Sequence, residues 1–248
     1  MKSFGLSDRG KVRADNQDCF LLELCPERDC LIATLCDGMG GAKAGGIAST
    51  LCVKTFVGKV YEKLCASKSK VQNYRTLLKN ACSETNGVVY AYSQFSEDYR
   101  GMGTTLVGGV IKPNGSGHII NVGDSRAYLL SPGKGQIRQI SRDHSLVEEL
   151  LRFGAITPEQ ARVHPQRNII TRAMGTESKA EPDYFEFRLG AGELLLLCSD
   201  GLSNMLTDEE ILDTAKEARE PEPLCRRLME QALERGARDN VTVVAVSR

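Results

Sequence analysis

At 248 residues the chain is long enough for one large mixed domain or two small ones, and with 41% hydrophobic and 26% charged residues it can build a globular core. Lys plus Arg equals Asp plus Glu at 32 each, which argues against nucleic acid or an anionic membrane as the main partner, because both draw a basic excess. No apolar run approaches the ~20 residues of a bilayer span, and the N-terminal MKSFGLSDRGKVR lacks the apolar stretch of a signal peptide.

In chain order, strand-like runs come first, around Asp18-Cys-Phe-Leu-Leu-Glu-Leu and at Leu31–Cys36. Residues 45–65 read as a helix, with Cys52, Phe56, Val60 and Leu64 recurring every four positions, and 73–95 as another. A meander follows: 104–111, 118–122, 126–130 and 136–140 are strand candidates, with turn chemistry in KPNGSG (112–117) and SPGKG (131–135). Ser145-Leu-Val-Glu148 and Thr157-Pro-Glu-Gln160 read as capping boxes of short helices. Residues 163–176 have no periodicity and read as a long loop, of the kind that is functional in compact domains. Strands at 184–189 and 192–200, a helix capped by Thr207-Asp-Glu-Glu210, a helix over 222–235 ending at Gly236, and a strand at 241–246 complete the chain. No linker divides it, so one domain over 1–248 is expected. The order points to an α+β fold, two mostly antiparallel sheets packed together with helices outside. The nine cysteines form no C-x-x-C pair, which argues against a zinc knuckle; Cys36 and Cys198 lie inside apolar runs and read as small core residues in a reducing cytosol.

The chemistry concentrates in carboxylates beside apolar runs. LIATLC leads to Asp37-Gly38, HIINVG to Asp124, and LLLLCS to Asp200-Gly201, while Asp239-Asn240 stands before the last strand and Asp18 closes RADNQD. One Asp-Gly is most often a turn. Several half-buried carboxylates without basic partners would repel one another at high cost, and divalent cations would resolve that. Oxygen-only donors favour Mg²⁺ or Mn²⁺ over Zn²⁺. The rival reading, a phosphate-cradling glycine loop, fails in detail. Gly38-Met-Gly40 continues Gly41-Ala-Lys43, neither G-x-G-x-x-G nor a P-loop, and Gly101-Met-Gly103 lacks its third glycine.

SDRGKVRADNQD (7–18), LCDGMGG (35–41), GMGTTL (101–106), NVGDSRAYL (121–129), the run from Asp143 to Thr157, HPQRNIITRAMG (164–175), CSDGLSNML (198–206) and RDNVTVV (238–244) occur in this order. Together, over essentially the whole chain, they resemble the metal-dependent serine/threonine protein phosphatases of type 2C, the PPM family, in their compact bacterial form. The resemblance implies a four-layer αββα sandwich with a metal site at one end of the sheets. It implies two Mn²⁺ or Mg²⁺ ions bridged by Asp37 and the Gly38 carbonyl, with Asp200 and Asp239 completing the first. Asp124 with Asp200 matches a third site. Arg13 matches the arginine that grips the substrate phosphate, and Asp18 a residue that orders metal-bound water. The implied activity is hydrolysis of phosphoserine and phosphothreonine in proteins by a metal-activated water, opposing a bacterial Ser/Thr kinase, in a cytoplasmic monomer.

Two departures stand out. Gln17 occupies a position where many relatives carry a glutamate touching the second metal. Met39 follows Asp37-Gly38 where many eukaryotic relatives have a histidine proposed as general acid, and methionine donates no proton. The histidines are His118, His144 and His164. His118 reads as a mid-strand structural residue. His144 and His164 flank residues 145–163 of a flap-like insert at about 143–170, and His164 is the candidate for substrate contact. The alternative is a catalytically weak relative that binds phosphoproteins; the intact aspartate set argues against it.

Overall fold

The structure, a computed structural model, describes residues 1–41, 44–66 and 73–248. Ala42 and Lys43 of the glycine-rich turn lie outside the described residues. The strands are β1 (Lys2–Asp8), β2 (Asp18–Cys25), β3 (Cys30–Met39), β4 (Gly103–Thr104), β5 (Leu106–Ile111), β6 (Ser116–Val122), β7 (Arg126–Ser131), β8 (Gln136–Gln139), β9 (Asp183–Arg188), β10 (Leu194–Cys198) and β11 (Val241–Ser247). The α-helices are α1 (Ala44–Ala66), α2 (Tyr74–Ser93), α3 (Leu146–Arg152), α4 (Pro158–Arg162), α5 (Asp200–Ser203), α6 (Asp208–Glu217) and α7 (Pro221–Glu234).

One sheet has the order β2-β3-β5-β6-β9, with β4 beside β3; the other has β1-β11-β10-β7-β8, and the pairings are antiparallel. Three buried layers result. Leu31, Ala33 and Leu35 of β3 meet Leu195, Leu197, Val244 and Val246 between the sheets. The alternate residues of β3, Cys30, Ile32 and Cys36, pack under α1 and α2. Leu194, Leu196, Val241 and Val243 pack under α6 and α7. This explains why β3, β10 and β11 read as continuous apolar runs: a central strand covered on both faces has no solvent side to mark with polar residues. Truncating a fully buried leucine such as Leu195 to Ala should cost about 2–5 kcal/mol.

The αββα sandwich is as expected, with local differences. β1 was not legible: KSFGLSD is a sheet edge paired only with β11, and Phe4 and Leu6 alone supply its apolar face. The strand expected over 104–111 is two strands in continuous register, interrupted at Thr105. There the backbone amide of Thr105 donates to the Asp37 carbonyl (2.8 Å), and its hydroxyl accepts from the Asp37 amide (2.9 Å). Thr157 and Thr207 form full capping boxes. Ser145 caps α3 by accepting from the Glu148 amide, without the reciprocal side-chain bond.

The segment after β8 leaves and rejoins the body at one neck. The Leu146 amide donates to Ile169 O (2.9 Å) and the Thr171 amide to His144 O (2.8 Å), with a bridge between Ser145 and Ile170. α3 and α4 lie on the insert closed by this neck.

Candidate active site

The aspartates converge at one end of the two sheets, and their local settings differ from simple strand ends. Asp37 lies inside β3, directly opposite Asp18 of β2. Asp124 stands in the turn after β6. Asp200 begins α5, one residue after the N-cap Ser199, and Asp239 lies in the turn before β11. Together with Arg13, Gln17, Gly38, Met39, Gly40, Thr105, Asn168 and Ile170, four of them (Asp37, Asp124, Asp200 and Asp239) line a cleft of about 230 Å³. Asp124, Asn168 and Asp200 also border a larger groove of about 680 Å³ that runs beneath the insert to Thr207 and Asp208.

Packing requires the glycine at position 38. It is an ordinary strand residue, and a Cβ there would run into the carbonyl of Gly45, in the first turn of α1. Close approach of the helix to the strand, not a turn of the backbone, excludes a side chain. Gly201 is similar, since a Cβ would strike the Asn240 carbonyl; this brings the start of α5 against the Asp239-Asn240 turn.

Burial governs the electrostatics. The carboxyls of Asp37 and Asp200 are both held above the usual carboxylate range, first by burial and then by each other's neighbours: Asp18 for Asp37, Asp239 for Asp200. Burial pushes Asp124 up to about 8, with the Asp200 charge adding to it. Asp18 rises to about 6 for the same first reason, although the Ser199 hydroxyl donates to its Oδ2 at 2.7 Å. Its Oδ1 is buried with no protein partner. Asn204 donates to Asp200 Oδ2 (3.0 Å). The expectation that the cluster has no basic partner needs correction: Arg13 Nη2 donates to Asp239 Oδ2 at 2.7 Å. That arginine is more than half exposed, and its remaining N–H groups can serve an anion.

A crowd of mutually repelling oxygen donors, one oxygen lacking a hydrogen bond, fits hard divalent cations. They would stabilise the charged forms that burial disfavours. The donors are carboxylates and a backbone carbonyl, with no thiol or imidazole in the lining.

Several positioning residues escaped the sequence reading. Asn240 donates to Arg9 O (2.8 Å) and Asp15 O (2.9 Å) and accepts from the Gln17 amide (2.8 Å), pinning the 9–17 loop that carries Arg13. Its only linear signal was its place after Asp239. Ser199 bridges Asp18 to the Thr242 amide. Ser49 of α1 donates to the Gln17 carbonyl (2.6 Å). His144 is buried; its Nδ1 accepts from the Gly123 amide (3.1 Å), so it fixes the turn of Asp124. Burial lowers its pKa, in keeping with an accepting Nδ1. His118 is structural as read, stacked on Tyr74 at 4.2 Å. His164 does not reach the cleft, and its Nδ1 accepts from the Gln166 amide (3.1 Å) in a turn of the insert. The insert instead brings Asn168 and Ile170 to the cleft.

A sheet sandwich with helices outside and an oxygen-donor cleft across the sheet ends defines a metal-dependent hydrolase. Residues 9–241 match the family model described as protein phosphatase 2C. The serine/threonine phosphatase stp of Listeria welshimeri is 37% identical over 98% of this chain and 94% of its own length. The serine/threonine protein phosphatase PstP of Mycobacterium tuberculosis is 38% identical over 96% of this chain and 43% of its longer sequence. Among solved structures, the serine/threonine phosphatase Stp1 of Staphylococcus aureus superposes with a TM-score of 0.89 at 37% identity, covering 100% of this chain and 94% of that one. The catalytic domain of PstP in complex with two manganese ions gives 0.83 at 34% identity, covering 98% and 96%. The chain belongs to the protein phosphatase 2C family and is a metal-dependent serine/threonine protein phosphatase.

Proposed function

We propose that the chain releases phosphate from phosphoserine and phosphothreonine in proteins at a centre of two manganese ions, with magnesium able to substitute and a third site between Asp124 and Asp200. The observation that carries the reading is the convergence of Asp37, Asp124, Asp200 and Asp239 in one cleft with raised carboxyl pKa values, beside Arg13. The solved PstP domain with two manganese ions supports the metal count.

Asp37, the Gly38 carbonyl, Asp200 and Asp239 would hold the two ions. Bound there, the cations supply Lewis acidity toward phosphoryl oxygens and lower the pKa of water. Arg13, held by Asp239, presents its free N–H groups to the phosphate and balances charge on the transferring group. Asp18 sits across the strand pair from Asp37 and offers its unpartnered Oδ1 to order water. Gln17 brings an amide to the lining, so the second ion is held with one negative charge fewer than a glutamate would give. Met39 lines the cleft without a proton to give. His164 would meet only a substrate chain that extends beyond the cleft over the insert. The 143–170 insert acts as the flap, because its neck sets Asn168 and Ile170 at the edge of the cleft.

The relatives named as serine/threonine phosphatases support phosphoproteins as substrates, with a Ser/Thr kinase opposing the chain and a monomer as its acting form. All nine cysteines are free thiols, which supports a cytoplasmic setting. No helix among the described residues is long and apolar enough to cross a membrane. The test is phosphate release from phosphoserine and phosphothreonine peptides with Mn²⁺ and with chelator. Turnover that requires the cation and disappears in Asp37→Asn is expected. Tight peptide binding without turnover would replace this reading with the phosphoprotein-binding one.

A further inference from the structure

The fold gathers three thiols at the opposite end of the β2–β3 hairpin, a grouping that the spacing of the cysteines in the sequence does not announce. Cys25 ends β2 and Cys30 opens β3, directly opposite each other in register. Cys65 lies in the last turn of α1. Cys25 Sγ is 3.9 Å from Cys65 Sγ and 3.7 Å from Glu27 Oε2. Donor atoms of Cys25, Glu27 and Cys65 all lie within 4.8 Å of one another. Around a tetrahedral zinc ion, with bonds of about 2.3 Å to sulfur and 2.0–2.2 Å to oxygen, the donors stand roughly 3.8 Å (S to S) and 3.5 Å (S to O) apart. The Cys25–Cys65 and Cys25–Glu27 spacings of 3.9 and 3.7 Å lie close to these, and the Glu27–Cys65 spacing is within 4.8 Å.

Surrounding contacts hold that arrangement. Tyr61 donates its hydroxyl to Glu27 (3.0 and 3.3 Å), the kind of partner that orients a ligating carboxylate. Arg28 Nε donates to the Leu64 carbonyl (2.7 Å), tying the turn after β2 to the end of α1. Cys30 is buried beside Cys25 and within the field of Cys65. Glu27 and Cys65 are exposed, so a cation can enter.

We propose that Cys25, Glu27 and Cys65 form a site for a thiophilic divalent cation, zinc first, that clamps the β2–β3 hairpin to the end of α1. Each ligating thiol gives its proton to water, so binding releases one proton per sulfur and no electron moves. The competing reading is a Cys25–Cys65 disulfide pair. It leaves the Glu27 carboxylate, which Tyr61 holds 3.7 Å from Cys25 Sγ, without a role.

Cobalt separates this site from the phosphatase centre, because only sulfur ligation gives the sulfur-to-cobalt charge-transfer band in the near ultraviolet. Reduced, metal-stripped protein titrated with Co²⁺ should develop that band with one equivalent, and Zn²⁺ should displace it. Asp37→Asn should keep it. Cys65→Ser, at an exposed position that tolerates the change, should lose it while keeping Mn²⁺-dependent turnover; Glu27→Gln should weaken Co²⁺ binding about tenfold or more. A folded, reduced protein with no band, or a band that survives in Cys65→Ser, would overturn the proposal. A bandless protein whose Cys25 and Cys65 become linked on mild oxidation, seen by peptide mass, would overturn it in favour of the redox pair.

Discussion

The two ends of β3 hold donor clusters built on opposite principles. Asp37 near one end and Cys30 at the other are seven residues apart, roughly 23 Å in an extended strand. At the oxygen end the donors come from a strand, a helix start and two turns scattered through the chain, and each ionised carboxylate raises the pKa of the next. At the sulfur end they come from one hairpin turn and one helix end, and the buried thiols are neutral. The oxygen cluster is therefore strained by its own charge and relaxes when a hard cation binds. The sulfur cluster carries little strain, because Glu27 is its one carboxylate and its thiols give up protons to a soft cation. One hairpin can thus serve two metals without confusing them, since ligand softness and not affinity alone does the sorting.

The largest expected break in this contrast is Asp37→Asn. It should lower Mn²⁺-dependent hydrolysis of an aryl phosphate by more than the ~10–100-fold typical of losing only an orienting partner, and leave the cobalt–sulfur band intact. Gln17→Glu adds a charge to the oxygen end; the Mn²⁺ concentration for half-maximal rate should fall about tenfold or more, given what one nearby charge is worth at a partly solvated site. An unchanged metal requirement would show that Gln17 does not limit the second ion.

Stripping the metal should expose the strain through pH. Asp18 and Asp124, at about 6 and about 8 in the fold, titrate above the ~3.9 of an unfolded aspartate. Their contribution to stability is fully present below about pH 4 and is lost as pH rises through 6 and 8. Chelated protein should melt lower at pH 8 than at pH 5.5, by about 2–4 °C for each kcal/mol lost. Manganese-loaded protein should not follow it, so the gap between the two melting curves should widen with pH; a constant gap would contradict the strained-cluster account. Ser199→Ala removes the donor to Asp18 and the acceptor for the Thr242 amide, and should cost about 1–3 kcal/mol in a denaturant midpoint. The smallest effect belongs to the sulfur end. Cys65→Ser in the absence of metal should change stability by no more than about 0.5 kcal/mol, as for an exposed side chain.

Much of this architecture was legible along the chain because its cause is local. Apolar runs marked β3, β10 and β11, four-residue recurrence marked α1, and Thr157 and Thr207 announced their helices. The aspartates that converge in the cleft were legible too, because each interrupts an apolar run or flanks one. What failed had a non-local cause. β1 is a strand only because β11 accepts it along an edge. His164 drew attention as a histidine in a long loop, yet the fold of the neck delivers Asn168 and Ile170 to the cleft. Asn240 stood out only as the residue after Asp239, and its three bonds to the 9–17 loop exist only in the fold.

By itself, then, the order of residues determined the layers of the sandwich, the set of carboxylates and the kind of cation they suit, since periodicity and ligand type are properties of short stretches. The tertiary structure alone decided that Gly38 must be glycine because α1 crosses it, that Arg13 is held by Asp239, and that Cys25, Cys30 and Cys65 meet. Each of these depends on segments that are distant along the chain and adjacent only after the sheets have twisted, paired and packed.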